Sequence, residues 1–171
     1  MEIRKVYREH MPHVKLIGKR YTNSDRDEGG TFARYWQQWF EKGWFDCLEH
    51  CKAAPDVSGD YLGVMRMSDG DNFEYWIGMF LPANTAAPDG YDFIDLAEGD
   101  IGVCWIKGKQ EDGSIFNMHD ACLKKLEENG MGDYRKDETG RCLFFERYTS
   151  PRFTEKDDSG NVILDYGVYL A

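Results

Sequence analysis

Cys142-Leu143-Phe144-Phe145-Glu146-Arg147-Tyr148 is the stretch whose reading decides the fold. Bounded by Gly140 and Pro151, a short apolar and aromatic run of this kind reads as a β-strand rather than a helix. Strand side chains alternate between two faces, so Phe144, Glu146 and Tyr148 share one face while Leu143 and Phe145 take the other. Glu146 is therefore flanked by aromatics. Burying an unpaired carboxylate costs on the order of several kcal/mol, so Glu146 requires a partner, a proton or a cavity that admits water or ligand. The plainer alternative is a strand-end acid paired at the surface with Arg147 or a lysine.

The whole chain of 171 residues, 42% hydrophobic and 15% aromatic, suits one unit with a full core. Its 31 acidic against 21 basic residues give a net charge of −10. That disfavours direct nucleic-acid binding and is compatible with cationic small molecules. Five cysteines form no Cys-x-x-Cys pair; Cys47 and Cys51 lie four apart on a helix, with no matching Cys or His pair elsewhere. Free thiols in a reducing cytoplasm are the simpler reading, with no metal and no cofactor. The first residues, Met1-Glu2-Ile3-Arg4-Lys5, lack an apolar segment, and no run reaches the ~20 residues of a membrane span. The expectation is a soluble cytoplasmic protein.

Outward from Glu146 the chain shows a repeat. Residues 1–13 carry no usable pattern; Val14 to Tyr21 reads as a strand, 22–30 as a loop, and Thr31 as the N-cap of an aromatic helix running through Trp36, Trp39, Phe40, Gly43 and Leu48. After a break at Pro55 and Gly59, Tyr61 to Met67 and Phe73 to Leu81 form a hairpin about the turn at 68–72. A linker at 82–90 is the seam. The order then recurs: a strand at 102–107, a helix from Ser114 to about Asn129, the strand around Glu146 and a last strand from Val162 to Leu170. Laying Tyr61–Met67 over Cys142–Tyr148 matches Leu62 with Leu143, Val64 with Phe145 and Arg66 with Arg147; Gly78–Leu81 falls over Gly167–Leu170. The predicted fold is α+β: duplicated strand-helix-strand-strand units, antiparallel sheets with helices on one face, and a ligand cleft between halves of about 1–85 and 90–171 in a single domain.

Parity assigns Leu62, Val64, Ile77, Met79, Leu81, Leu143 and Phe145 to the face under the helices. The other set, Met65, Met67, Trp76, Phe80, Phe144, Glu146, Tyr148 and Tyr169, is expected to line an adaptable pocket, with Trp39 or Phe40 added from the helix and Trp105 from the strand at 102–107. His119 reads as a solvated polar-face residue. No Gly-x-Ser-x-Gly elbow is present and no cysteine has a base beside it, so nucleophilic catalysis has no support.

With the twofold strand-helix-strand-strand order, the runs Tyr91-Asp92-Phe93 to Gly108 and Phe145-Glu-Arg-Tyr-Thr-Ser-Pro-Arg-Phe153 resemble the GyrI-like small-molecule-binding domains, built from the repeat known as SHS2. Such domains also serve as effector-binding domains of AraC- and MerR-type activators; this chain carries no helix-turn-helix module. The resemblance implies that Glu146 sits in an aromatic pocket and meets cationic or polar parts of a hydrophobic ligand, for drug or toxin protection. Some stand-alone members are similar to hydrolases that open the cyclopropane of DNA-alkylating compounds, which would give Glu146 the activation of water and Tyr148, or Tyr169, a hydrogen bond to the substrate carbonyl as catalytic roles. A protein-binding regulator acting through the acidic surface is the third reading.

Overall fold

The computed structural model describes residues 1–51, 59–70 and 72–171. Its elements in chain order are β1 (Glu2–Met11), β2 (Val14–Thr22), α1 (Ala33–Glu41), α2 (Trp44–Glu49), β3 (Tyr61–Met67), β4 (Glu74–Pro82), β5 (Asp92–Leu96), β6 (Gly99–Gly108), α3 (His119–Glu128), β7 (Cys142–Tyr148) and β8 (Val162–Tyr169). The expected break at Pro55, and Asp71 within the expected hairpin turn, lie outside the described residues. Three local expectations are corrected. Residues 1–13, patternless in sequence, supply the edge strand β1, because pairing with β6 satisfies its backbone groups whatever its side chains are. The aromatic helix breaks at Gly43, where φ of +66° is left-handed and free of penalty only without a Cβ. Phe32, not Thr31, occupies the N-cap, while the Thr31 hydroxyl donates to Asp27.

All strands pair antiparallel in one sheet of order β1-β6-β8-β7-β3-β4-β2-β5. Two connections dictate its shape. Pro12 and His13 alone join β1, at one edge, to β2, and Ala97 and Glu98 alone join β5, at the other edge, to β6. Each crosses six strand positions, about 29 Å in a flat sheet, whereas three residue steps reach at most about 11 Å. The sheet must therefore curl until its edges approach. Gly18 and Gly78 face each other across β2 and β4, where a Cβ on either would lie 2.0 or 2.2 Å from a neighbouring carbonyl oxygen, so this close crossing requires glycine.

The curl gives the sheet an inner and an outer face. Inside, Leu62, Val64, Trp76, Phe80, Ile101, Val103, Leu143, Phe145 and Tyr169 form one buried cluster that also takes in Met11, Val14 and Leu16. Outside, the helices cover Ile17, Met65, Tyr75, Ile77, Met79, Leu81, Cys104, Phe144, Leu164, Tyr166 and Val168. The parity reading joined the wrong strand faces: Val64 lies opposite Trp76, and Phe145 opposite Gly167, so Leu62, Val64, Leu143 and Phe145 point into the curl and not under the helices. The face relation across a hairpin depends on its turn, and no single-strand pattern reports it.

The duplication is visible in the register. Leu62 pairs with Arg147, Arg66 with Leu143 and Val64 with Phe145, so exchanging the halves about the centre of β3–β7 maps Leu62 onto Leu143. The second match is corrected by two residues. Since Val64 faces Trp76 and Phe145 faces Gly167, the residue equivalent to Gly167 is Trp76, not Gly78.

This shift aligns two ion clusters. Arg66 faces Glu74 and Arg147 faces Asp165 in register. Asp165 is fully buried and accepts from Arg147 at 2.9 Å and Arg152 at 2.7 Å; Arg147 also grips Glu9 at 2.8 Å, and its charge is held by Glu9 and Asp165 against the opposing effect of burial. Glu74 accepts from Trp76 at 3.0 Å and meets Arg20, Arg66 and Arg141 at 3.2, 3.0 and 3.0 Å. Burial alone would raise its pKa, but the Trp76 and Arg66 hydrogen bonds and the arginine charges hold it at about 2, against an ordinary 4.5. Because the folded value is depressed, the stabilisation from Glu74 is complete above about pH 4.5 and lost as pH falls toward about 2. In Glu74→Gln, unfolding free energy measured by denaturant titration from pH 5 to about 2 should fall less steeply than in the wild type; equal slopes would show that Glu74 does not carry this acid sensitivity.

Candidate functional site

Glu146 stands at the centre of the outer face, on β7 directly against β3. Its neighbour across the ladder is Gly63, and the missing side chain there is filled from above. A Cβ on Gly63 would lie 2.6 Å from the Tyr75 hydroxyl and 3.2 Å from Cζ2 of Trp36. Trp36 of α1 donates its Nε1–H to Tyr75 at 2.9 Å and sets its ring edge against Tyr148 at 5.0 Å. Phe32 stacks flat on Tyr75, with centroids 4.2 Å apart, and Phe153 meets Tyr148 at 4.8 Å.

The Glu146 carboxylate is 6% exposed, and both of its oxygens are engaged. Oε1 pairs with Nε2 of His119 at 2.7 Å, and Oε2 accepts from the Tyr148 hydroxyl at 2.6 Å. His119 opens α3 and stacks on Tyr166, centroids 4.5 Å apart and planes 17° apart; Tyr166 is itself the ladder neighbour of Glu146 on β8. The His119 side chain remains 27% exposed, so the approach to Glu146 runs past it. Burial first, then the Glu146 charge, hold the Tyr148 and Tyr75 phenols well above their usual range; Tyr166 is raised by burial, with Cys122 and Glu146 adding to it. These hydroxyls stay neutral at physiological pH, and Tyr148 acts purely as a donor to the carboxylate. A buried acceptor ringed by π-faces suits a cation or a strong hydrogen-bond donor.

The structure gathers only part of the expected site. Glu146, Tyr148, Phe144, Met65 and Met67 share the outer face. Trp76, Phe80, Trp105 and Tyr169 lie on the inner face, across the backbone from Glu146, where the curl packs them together. Trp39 is fully buried, donating to Tyr21 at 3.0 Å, and Phe40 is 60% exposed, one turn along α1 from Trp36 and beside Phe45 and Tyr61. The helix residue that reaches the site is Trp36. His119, read as solvated, binds Glu146 instead, because α3 crosses the sheet with its first turn above β7 and β8. The sequence holds no signal for that contact across 27 positions. Gly63, the one residue without bulk opposite Glu146, is the signal that could have located Tyr75 and Trp36. Among the described residues no three His, Cys, Asp or Glu side chains gather to hold a metal ion, and no helix is long and apolar enough to cross a membrane.

Neither a protein-family model nor a curated protein matches the chain. Solved structures do. A putative bacterial transcription regulation protein from Staphylococcus aureus MU50 is similar with a TM-score of 0.64 at 17% identity, 96% of each chain being covered. SAV2435, solved bound to tetraphenylphosphonium, gives 0.65 at 19% identity over 98% of this chain and 93% of that one. The EcmrR C-terminal domain gives 0.56 at 17% identity over the whole of both. The chain thus has the fold of these proteins, as expected of a GyrI-like domain.

Substituting Gly63 tests how the site is built. Gly63→Ala should drive Trp36 and Tyr75 apart and cost about 1–3 kcal/mol of unfolding free energy, with a changed Trp fluorescence spectrum. An unchanged stability and spectrum would show that the Trp36–Tyr75 pair does not depend on the bare ladder position.

Proposed function

We propose that this chain is a small-molecule-binding protein whose outer-face site takes amphipathic cationic or aromatic compounds, with Glu146 as counter-charge, in drug or toxin protection inside the cell. The observation that carries the reading is a glutamate 6% exposed among Tyr148, Tyr75, Tyr166 and Trp36, held by hydrogen bonds to His119 and Tyr148. Among the described residues no lysine or arginine pairs with it, which leaves the carboxylate open to a cationic ligand. A lipophilic cation can replace the His119 contact and gain both the charge and the aromatic faces, and desolvation strengthens each. Tetraphenylphosphonium in SAV2435 is a ligand of this chemical class on the same fold. Within this reading Met65, Met67 and Phe144 supply the floor and Trp36 and Tyr148 the walls. The EcmrR domain belongs to a protein solved on DNA, which supports a regulatory context.

One observation favours turnover as a second reading. If neutral His119 donates Nε2–H to Glu146, its Nδ1 is left as an acceptor oriented by a carboxylate, an arrangement that can take a proton from water. This would serve the opening of a strained ring such as a cyclopropane, by addition of water.

One substitution separates the readings. Glu146→Gln preserves shape and removes the charge, so affinity for tetraphenylphosphonium should fall about tenfold or more, while a neutral aromatic compound of similar size binds nearly as before. Calorimetry with the two ligands checks it; equal losses for both, or none, would remove Glu146 as the counter-charge. For the second reading, mass spectrometry of an incubated cyclopropane substrate should show the gain of one water with the wild type and its loss with Glu146→Gln.

A further inference from the structure

The two ends of the curl are related by exchange of the halves, yet they are filled differently. Trp76 corresponds to Gly167, so Gly78 corresponds to Tyr169, their partners Gly18 and Ile101 correspond in turn, and so do the edge residues beyond, Asp92 on β5 and Glu9 on β1. At one end Glu9 closes onto Arg147 with two hydrogen bonds of 2.8 and 3.2 Å. At the other, Asp92 is one methylene shorter and exposed, and among the described residues neither it nor Asp89 makes an ion pair within 4.0 Å or a side-chain hydrogen bond. The closing pair is replaced by a groove of about 670 Å³, with Arg20, Arg66, Glu74 and Trp76 on one side and residues 87–93 on the other. Arg20 spends only Nη1 on Glu74 and is 51% exposed. Arg66 turns Nη1 to Asp137 at no closer than 3.7 Å.

We propose that this groove is a second ligand site, on the opposite face of the sheet from Glu146, for a small zwitterion with an apolar body. Its carboxylate would take the guanidinium of Arg20 and Nη1 of Arg66, its ammonium Asp89 and Asp92, and its body Trp76, Ala87 and Pro88. Charge decides the class. Two arginines against Glu74, Asp89 and Asp92 leave the lining with a formal −1, which gives a simple anion no advantage. A single exposed ion pair is worth about 1 kcal/mol or less, so a ligand needs both ends engaged at once, which a molecule with one charge cannot achieve. Guanidinium pairs receive carboxylates in a fixed fork geometry, which fixes the ligand's direction. The other half carries out the same pairing internally, with Glu9 as the built-in carboxylate of Arg147.

Isothermal calorimetry with L-phenylalanine, 3-phenylpropionate and phenethylamine tests the site, since the last two each lack one charge. Wild-type protein should bind L-phenylalanine, with both analogues at least about tenfold weaker and with excess tetraphenylphosphonium failing to compete. Asp92→Asn and Arg20→Gln, both at exposed side chains, should each weaken it about tenfold. No binding of L-phenylalanine up to about 10 mM, equal binding of a singly charged analogue, competition by tetraphenylphosphonium, or an unchanged Kd in both variants would each overturn the proposal.

Discussion

The two-residue connections at Pro12–His13 and Ala97–Glu98 are the constraint on which the rest of the structure depends. Each ties an edge strand to a strand six places away, so the eight-stranded sheet has no flat form. Once curled, it buries one face on itself and needs helices on the other face only. This is why short helices such as α1, α2 and α3 cover a sheet of this size. It also explains why the inner cluster contains no helical residue yet leaves Val64, Ile101, Val103 and Phe145 with no exposed surface. Eight strands leave an interior just wide enough for side chains to fill, and here they fill it.

The curl also separates two chemistries that a flat reading of the strands merges. The outer face at β3–β7 is the seam of the duplication, where two equivalent ladder positions carry different side chains. Met65 and Glu146 are equivalents, one keeping an apolar lining and the other a buried acid. The asymmetry is completed by the helices: α1 brings Trp36 and α3 brings His119 to the same carboxylate. The inner face keeps its symmetry in the form of Arg66–Glu74 and Arg147–Asp165, whose charges cost too much to bury alone and therefore stay paired. At the edges the halves differ: Glu9 closes onto Arg147, while its counterpart Asp92 stays exposed.

Charge follows the same division. The acidic surface implied by a net −10 is spread over loops and strand edges, while each buried acid has an assigned donor. Glu74 and Asp165 are neutralised by arginines and stabilise the fold; Glu146 is held instead by an imidazole and a phenol. The identity of the donor, rather than the depth of burial, distinguishes Glu74 and Asp165 from Glu146.

The sequence by itself determined the elements that rest on local pattern: the strand at Cys142–Tyr148 with Glu146 among aromatics, the hairpins, the approximate helices, and the duplication through Leu62 and Leu143. These follow from alternation and turn chemistry, which act over a few residues. Tertiary structure alone decided which faces meet. A hairpin turn can bring strand faces together in either sense, so Trp76, Phe80, Trp105 and Tyr169 could be known as strand residues but not as residues facing away from Glu146. Likewise β1 exists because β6 offers it hydrogen bonds, and His119 reaches Glu146 because a helix crosses the sheet at that point. Those contacts join residues far apart in the chain, and no short-range pattern encodes them.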